Sequence, residues 1–200
     1  MKRTGIILLA ALLLAACLAG CLQRPTKLEN QIALKALSPE QQEIVSLIAN
    51  EKQKILLFDY NIQEAYSSVE FWVQAYENGV PADPSILTNP FDAEEGPVDG
   101  SIAVYLNRIA DAQWEFALSI GGSKISGTVK SSTIDGTFSY AFGATSTPVT
   151  IEDGKEIVLY TEIYTNDHAG IEGDQQRYAE QPELLSEYPY VQLIKCKFVK

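Results

Sequence analysis

Ala112-Gln113-Trp114-Glu115-Phe116-Ala117-Leu118-Ser119-Ile120 runs into Gly121-Gly122 and then into Lys124 to Lys130. Large apolar residues stand at every second position: Trp114, Phe116, Leu118 and Ile120. A strand turns successive side chains to opposite faces, so these four share one buried face. A glycine pair suits the left-handed backbone of a tight hairpin turn. The two runs therefore predict an antiparallel hairpin.

The same two-residue period recurs along the chain. Ile55 to Asn61 reads as a strand. Tyr66 to Glu77 is a longer one, with Val69, Phe71, Val73 and Ala75 on one face and Asn78-Gly79 as a turn. Ser101 to Arg108 alternates Ile102, Val104 and Leu106 inward. Asp135-Gly136 leads into Phe138, Tyr140 and Phe142. Asp153-Gly154 leads into Glu156 to Thr165, and Tyr190 to Val199 closes the chain. About eight strands separated by turn signals predict a mainly β fold, an antiparallel β-sandwich.

One helix is expected ahead of this sandwich. Ser38-Pro39-Glu40-Gln41 has the residues of a capping box, with proline in the first turn. Ile44, Leu47 and Ile48 follow at helical spacing, so the helix is placed from Pro39 to about Gln53. Residues 22 to 37 read as a tether that turns helical towards its end. Two connections exceed hairpin length. Val80 to Gly100 holds Pro81, Pro84, Pro90 and Pro97; Asn166 to Tyr188 holds a short helix near Pro182 to Ser186.

The N-terminus reads as an address. Lys2 and Arg3 form a positive end, an apolar run extends from Ile6 to Ala16, and Leu18-Ala19-Gly20-Cys21 follows. The run is too short to span a bilayer, which takes about 20 residues, and small residues precede Cys21 as at a cleavage site. These features resemble a bacterial lipoprotein precursor with its lipobox. The resemblance implies a signal peptide over 1–20, a lipidated tether over 21–37 and a folded domain over 38–200. Cys21 then carries the lipid; Leu14-Ala15-Ala16-Cys17 fits the same pattern and leaves Cys17 as the alternative. The implied location is the outer side of the cytoplasmic membrane or the outer membrane. Two acyl chains anchor stably where one does not.

The 200 residues carry a net charge of -11, and loss of Lys2 and Arg3 makes the balance two units more negative. Such a chain lacks the clustered basic residues that nucleic acid requires. Cys196 falls in step with Ile194 and Phe198, which predicts a small buried hydrophobe.

Motifs for catalysis are sparse. The single histidine, His168, would have to serve any Ser-His-Asp arrangement, and no nucleophile elbow is present. No cofactor motif and no zinc spacing occurs. Asp92, Glu94, Glu95 and Asp99 in one long connection are candidate calcium ligands, as are Asp167, Glu172 and Asp174 in the other, though neither set has the EF-hand spacing. Carboxylates of these loops, Asp92 and Asp167 among them, are the alternative basis for a glycan- or envelope-directed hydrolase.

The aromatic pattern carries the leading candidate. If Val69, Phe71 and Val73 face the core, Tyr66, Trp72 and Tyr76 share the opposite face with Glu70 and Gln74. By the same count Tyr160 and Tyr164 face away from Ile157, Leu159 and Ile163. Rings interleaved with polar groups suit a glycan, a peptide or an envelope protein. The competing expectation is that the Pro39 helix covers this face. Phe58-Asp59-Tyr60, Ser68-Val69-Glu70-Phe71-Trp72-Val73 and Tyr76-Glu77-Asn78-Gly79 resemble the opening strands of uncharacterised bacterial lipoproteins built as a helix followed by a β-sandwich. That resemblance implies a fold and no catalytic residue. The sequence thus points to a membrane-anchored, non-catalytic binding or interaction domain.

Overall fold

A computed structural model describes residues 29–50, 52–82, 85–90, 98–110, 113–130, 139–165 and 175–200. Its described residues are mainly strand, in two six-stranded sheets whose neighbours all run antiparallel. The first sheet contains β1 (Gln31–Leu34), β2 (Gln53–Ile62), β6 (Val98–Ala110), β7 (Gln113–Ile120), β8 (Ser123–Lys130) and β10 (Val149–Thr150). Their order is β10-β1-β2-β6-β7-β8. The second contains β3 (Ser68–Glu77), β4 (Val80–Pro81), β5 (Ser85–Pro90), β9 (Ser139–Ala144), β11 (Glu156–Thr165) and β12 (Tyr190–Val199). Its order is β4-β3-β12-β11-β9, with β5 pairing along β3.

All eight expected strands are present. The opening hairpin is β7 and β8, in register from Gln113 opposite Lys130 to Ile120 opposite Ser123. Gly121 and Gly122 have φ of +53° and +85°, the left-handed backbone that the turn requires. Four further strands bring the described total to twelve rather than eight. β4 and β5 occupy part of the proline-bearing connection, β10 is a short edge strand, and the short β1 lies between it and β2. Gln31 to Leu34, expected in the tether, pairs with β2 and buries Ile32, so the folded unit takes in residues ahead of Ser38.

The helix is real but differently placed. α1 (Pro39–Ile48) has the expected capping box, with the Gln41 backbone N–H donating to Ser38 Oγ and the Ser38 backbone N–H donating to Gln41 Oε1. It stops at Ile48, and β2 has begun by Gln53. It connects β1 to β2 instead of preceding the strands. Its Ile44, Leu47 and Ile48 remain exposed, so it covers neither sheet.

One apolar core draws on both sheets. Ile32, Phe58, Ile102, Val104, Phe116 and Leu118 come from the first; Val69, Phe71, Ile157, Ile194 and Phe198 come from the second. Cys196 lies in this core, fully buried and unpaired as expected, and burial pushes its thiol pKa up. A smaller cluster forms on the outer side of the second sheet. There Tyr76, Val158, Ile163, Val191 and Leu193 lie beneath Tyr178 of α2 (Arg177–Glu180) and Leu185 of a 3-10 turn (Pro182–Glu187). Gln176 fastens that cover. Its amide donates to the Val158 carbonyl at 2.8 Å, and its Oε1 accepts from the Val158 N–H at 3.1 Å.

Phe116→Ala should therefore cost about 3–5 kcal/mol of stability. Leu47→Ser, at a position 80 % exposed, should stay within about 0.5 kcal/mol. Urea denaturation measures both, and a comparable loss for Leu47→Ser would contradict the exposed placement of α1.

Candidate functional site

β11 decides where the site lies. Its pairing with β12 is regular from Glu156 to Val158, slips, and resumes with Tyr160 opposite Ile194. Leu159 is the extra residue of a β-bulge. A slip of one residue exchanges the two faces of everything that follows. Ile157 and Leu159 point into the common core, and so does Tyr160. Glu162 and Tyr164 then follow inward, while Ile163 joins the outer cluster. The expectation that Tyr160 and Tyr164 face away from Ile157 and Leu159 is thereby overturned.

The slip carries a carboxylate into the space between the sheets. Glu162 is 6 % exposed. The Tyr164 hydroxyl donates to its Oε1 at 2.7 Å, and the Tyr160 hydroxyl approaches Oε2 at 3.5 Å. Burial raises the Glu162 pKa above 4.5; the Tyr164 bond, the Arg108 charge and the Trp114 indole N–H oppose that rise without cancelling it. Burial, followed by the Glu162 charge, also raises the Tyr160 and Tyr164 pKa values.

Cross-strand rows complete the surroundings. Phe142 stands beside Glu162 on one side and Gln192 on the other; Tyr140 and Tyr190 flank Tyr164 in the same way. From the first sheet come Trp114, Leu106, Arg108 and Lys54, with Lys52 from the turn ahead of β2. With Tyr140, Phe142, Tyr160 and Glu162 these line a recess of about 310 Å3, counting its open mouth, with room in all for roughly one water molecule. Trp114 is 1 % exposed and stacks on Tyr190 at 5.6 Å. Its Nε1–H lowers the Glu162 pKa, yet closes no hydrogen bond of good geometry. Tyr190 Oη and Gln192 Oε1 are likewise buried without a partner.

The mouth is aromatic and cationic. Tyr140 and Phe142 are each 44 % exposed, with centroids 6.1 Å apart and planes within 21°. Lys54 Nζ lies 4.0 Å from the Phe142 centroid, and the Arg108 guanidinium lies 5.3 Å from that of Tyr140. Lys52, Lys54 and Arg108 thus line the recess with one carboxylate, Glu162, in a chain of net charge -11.

The residues singled out from sequence lie elsewhere. Tyr66, Trp72 and Tyr76 are buried, at 5 %, 6 % and 8 % exposure, and form no open aromatic face. Tyr66 lies just ahead of β3, where alternation has not begun, and packs edge-on against Phe198 in the common core. Tyr76 is covered by the α2 segment. Trp72 stays on the outer side of the second sheet, with Lys197 Nζ 6.0 Å from its ring and held by Glu70 at 2.8 Å. Asp99 sits on β6 and accepts a bond from the Asn61 amide. Among the described residues no three acids, histidines or cysteines are grouped to hold a metal. Cys17, Cys21, Asp92, Glu94, Glu95, Asp167, His168, Glu172 and Asp174 lie outside the described residues.

The YgaN domain description matches residues 31–198. This chain belongs to the YgaN family. The match runs from the first residue of β1 to the penultimate residue of β12 and takes in every residue lining the recess. No curated protein and no solved structure matches this YgaN chain.

A carboxyl group whose pKa is raised on folding makes the native state bind protons more readily than the unfolded one. Its stabilising contribution is complete below the unfolded value and is lost as pH rises through the folded value. Glu162→Gln should therefore remove a fall in stability that the unmodified protein shows as pH rises from about 4 towards neutrality. Denaturant midpoints across that range measure it, and parallel profiles for the two proteins would contradict a strained Glu162. Tyr164→Phe, which removes a donor to a buried carboxylate, should cost about 1.5–3 kcal/mol near neutral pH.

Proposed function

We propose that this protein is a lipid-anchored, extracytoplasmic β-sandwich that binds a ligand without transforming it. The ligand surface is the recess bounded by Tyr140, Phe142, Lys52, Lys54 and Arg108. The sandwich reading is supported by the single apolar core to which both sheets contribute. The anchor rests on Leu18-Ala19-Gly20-Cys21 and the apolar run before it.

The observation that carries the binding reading is the pair of half-exposed rings at the mouth of the recess. Two large rings at 44 % exposure retain apolar surface for a ligand, and Lys52, Lys54 and Arg108 line the recess with them. The polarity of β2 adds to it. Asn61, opposite Gln31 where the N-terminal segment joins, and Lys54, at the recess, are seven residues apart on one strand. At about 3.3 Å per residue that is roughly 23 Å. The chain therefore enters the described domain at the end of β2 opposite the recess.

The hydrolase alternative finds little support at this site. Acid–base cleavage of a glycosidic bond takes two carboxyl groups, and Glu162 is the one carboxyl group among the described residues lining the recess.

Two experiments test the proposal. Cys21→Ala should release the protein from membranes and end incorporation of labelled fatty acid, while Cys17→Ala leaves both intact. Retention of Cys21→Ala in the membrane fraction would refute the anchor. The paired change Tyr140→Ala and Phe142→Ala should abolish retention on isolated envelope glycan with the urea midpoint little changed. Undiminished retention would remove the recess as the binding surface.

A further inference from the structure

We propose that two copies of this chain associate about a two-fold axis, each laying α1 into an apolar hollow on the outer face of the other's first sheet. The contact goes beyond the reading of the recess and uses none of its residues.

Both halves of the contact are present on one molecule. α1 lines up Ile44, Leu47 and Ile48 at the i, i+3 and i+4 spacing of one helix face. They are 56, 80 and 60 % exposed, and an apolar stripe of this kind is stabilised by burial against another element. The hollow supplies the counterpart. Ala103 of β6 and Ala117 of β7 stand low there between Ile55 of β2, Tyr105 of β6 and Lys124 of β8. Cross-strand pairing sets Ile55, Tyr105 and Ala117 in one row, and Ala103, Ser119 and Lys124 in the next. These positions alternate with the core residues Ile102, Val104, Leu106, Phe116 and Leu118, so they face outward. The hollow measures about 290 Å3. A cavity of about 150 Å3 takes a benzene ring, so two of the three α1 side chains fit inside and the third rests at the rim.

Charge fits as well. At the helical period Glu40 falls in line with Ile44 and Leu47, with Glu43 beside them, and α1 carries no basic residue. Lys124 is the one charged side chain lining the hollow. An acidic, apolar helix thus meets an apolar hollow with a cation at its edge. The lack of bases on α1 argues for a protein surface over lipid, because helices that lie on membranes are rich in lysine and arginine.

In its own molecule α1 stands clear of the hollow, and its flanks are fixed that way. The Lys35 N–H donates to the Leu57 carbonyl and the Arg108 N–H to the Lys52 carbonyl, both at 2.8 Å, which pins the chain on either side of the helix. The Lys52 N–H donates to Asn50 Oδ1 at 2.9 Å and closes the turn out of α1. The hollow open to the helix is therefore that of a second copy. A helix of this length is about 15 Å long and 10 Å across, too small a footprint for a specific interface, which buries about 1,000 Å2 or more. A two-fold pair makes the same contact twice. Doubled, the area reaches the lower end of the range, that of transient assemblies. The pair forms in concentrated solution, and the dilute chain of a urea titration is monomeric.

The test is sedimentation equilibrium of the full chain in density-matched mild detergent. Salt at about 0.15 M screens the long-range repulsion between two acidic copies. The mass is expected to rise from monomer to dimer with concentration. Leu47→Glu breaks the stripe and Ala117→Trp fills the hollow; each is expected to leave monomer, with the dilute urea midpoint little changed. Lys124→Glu is expected to loosen the dimer about tenfold, and addition of Glu43→Lys to restore it. A monomer at every concentration up to about 1 mM would overturn the pair and leave the recess reading untouched. A dimer that persists in either Leu47→Glu or Ala117→Trp would overturn this interface. Masses that grow beyond the dimer would overturn its two-fold closure.

Discussion

One extra residue in β11 shapes the part of this protein that has chemical character. Without Leu159 as a bulge, Ile163 would face the core and Glu162 would face outward. With it, a carboxyl group enters the space between two sheets, and its neighbours must accommodate it. Tyr164 and Tyr160 hydroxyls, the Arg108 charge and the Trp114 indole supply that accommodation from both sheets. The bulge also leads Tyr160 and Tyr164 into line with Phe142 and Tyr140 on the edge strand β9, at 6.4 and 6.2 Å. The aromatic mouth and the buried acid are thus two results of one irregularity. Bulges commonly re-aim side chains beside functional sites.

The two ends of the domain differ accordingly. Around β1 and β10 the space between the sheets is apolar, closed by Ile32, Ile62, Ile151 and Phe198. Towards Lys54, Arg108 and Tyr164 it becomes polar, with buried groups that lack partners. A purely structural end of a sheet pair would fill with aliphatic side chains, since each unsatisfied buried polar group carries a desolvation cost.

The regular parts of the fold were legible because alternation is a strong signal wherever one sheet face is buried. Trp114, Phe116, Leu118 and Ile120 show it plainly, as do Ile194, Cys196 and Phe198. β1, β4 and β10 are too short to show a period, and β5 sits in a stretch that prolines mark as irregular. The site was not legible for a related reason. Counting by twos along Glu156 to Thr165 assumes an unbroken strand, and the slip at Leu159 reverses the answer for Tyr160, Glu162 and Tyr164. The consecutive apolar run Ile157-Val158-Leu159-Tyr160 is the only trace of it in the sequence. Trp72 and Tyr76 misled for the opposite reason. Their face was read correctly for those two residues, but α1 covers neither: Tyr76 lies under Tyr178 and Leu185 of the α2 segment, which carry no periodic pattern, and Trp72 is buried with Lys197 beside its ring.

The most direct test of this account is the ionisation of Glu162 itself. Its side-chain carboxyl carbon can be followed by 13C NMR through a pH titration and assigned by loss of the signal in Glu162→Gln. A carboxyl group turned inward by the bulge should titrate above the ordinary value of 4.5. A titration at or below that value would place Glu162 in water, on the other face of the strand, and the recess with its chemistry would not exist as described.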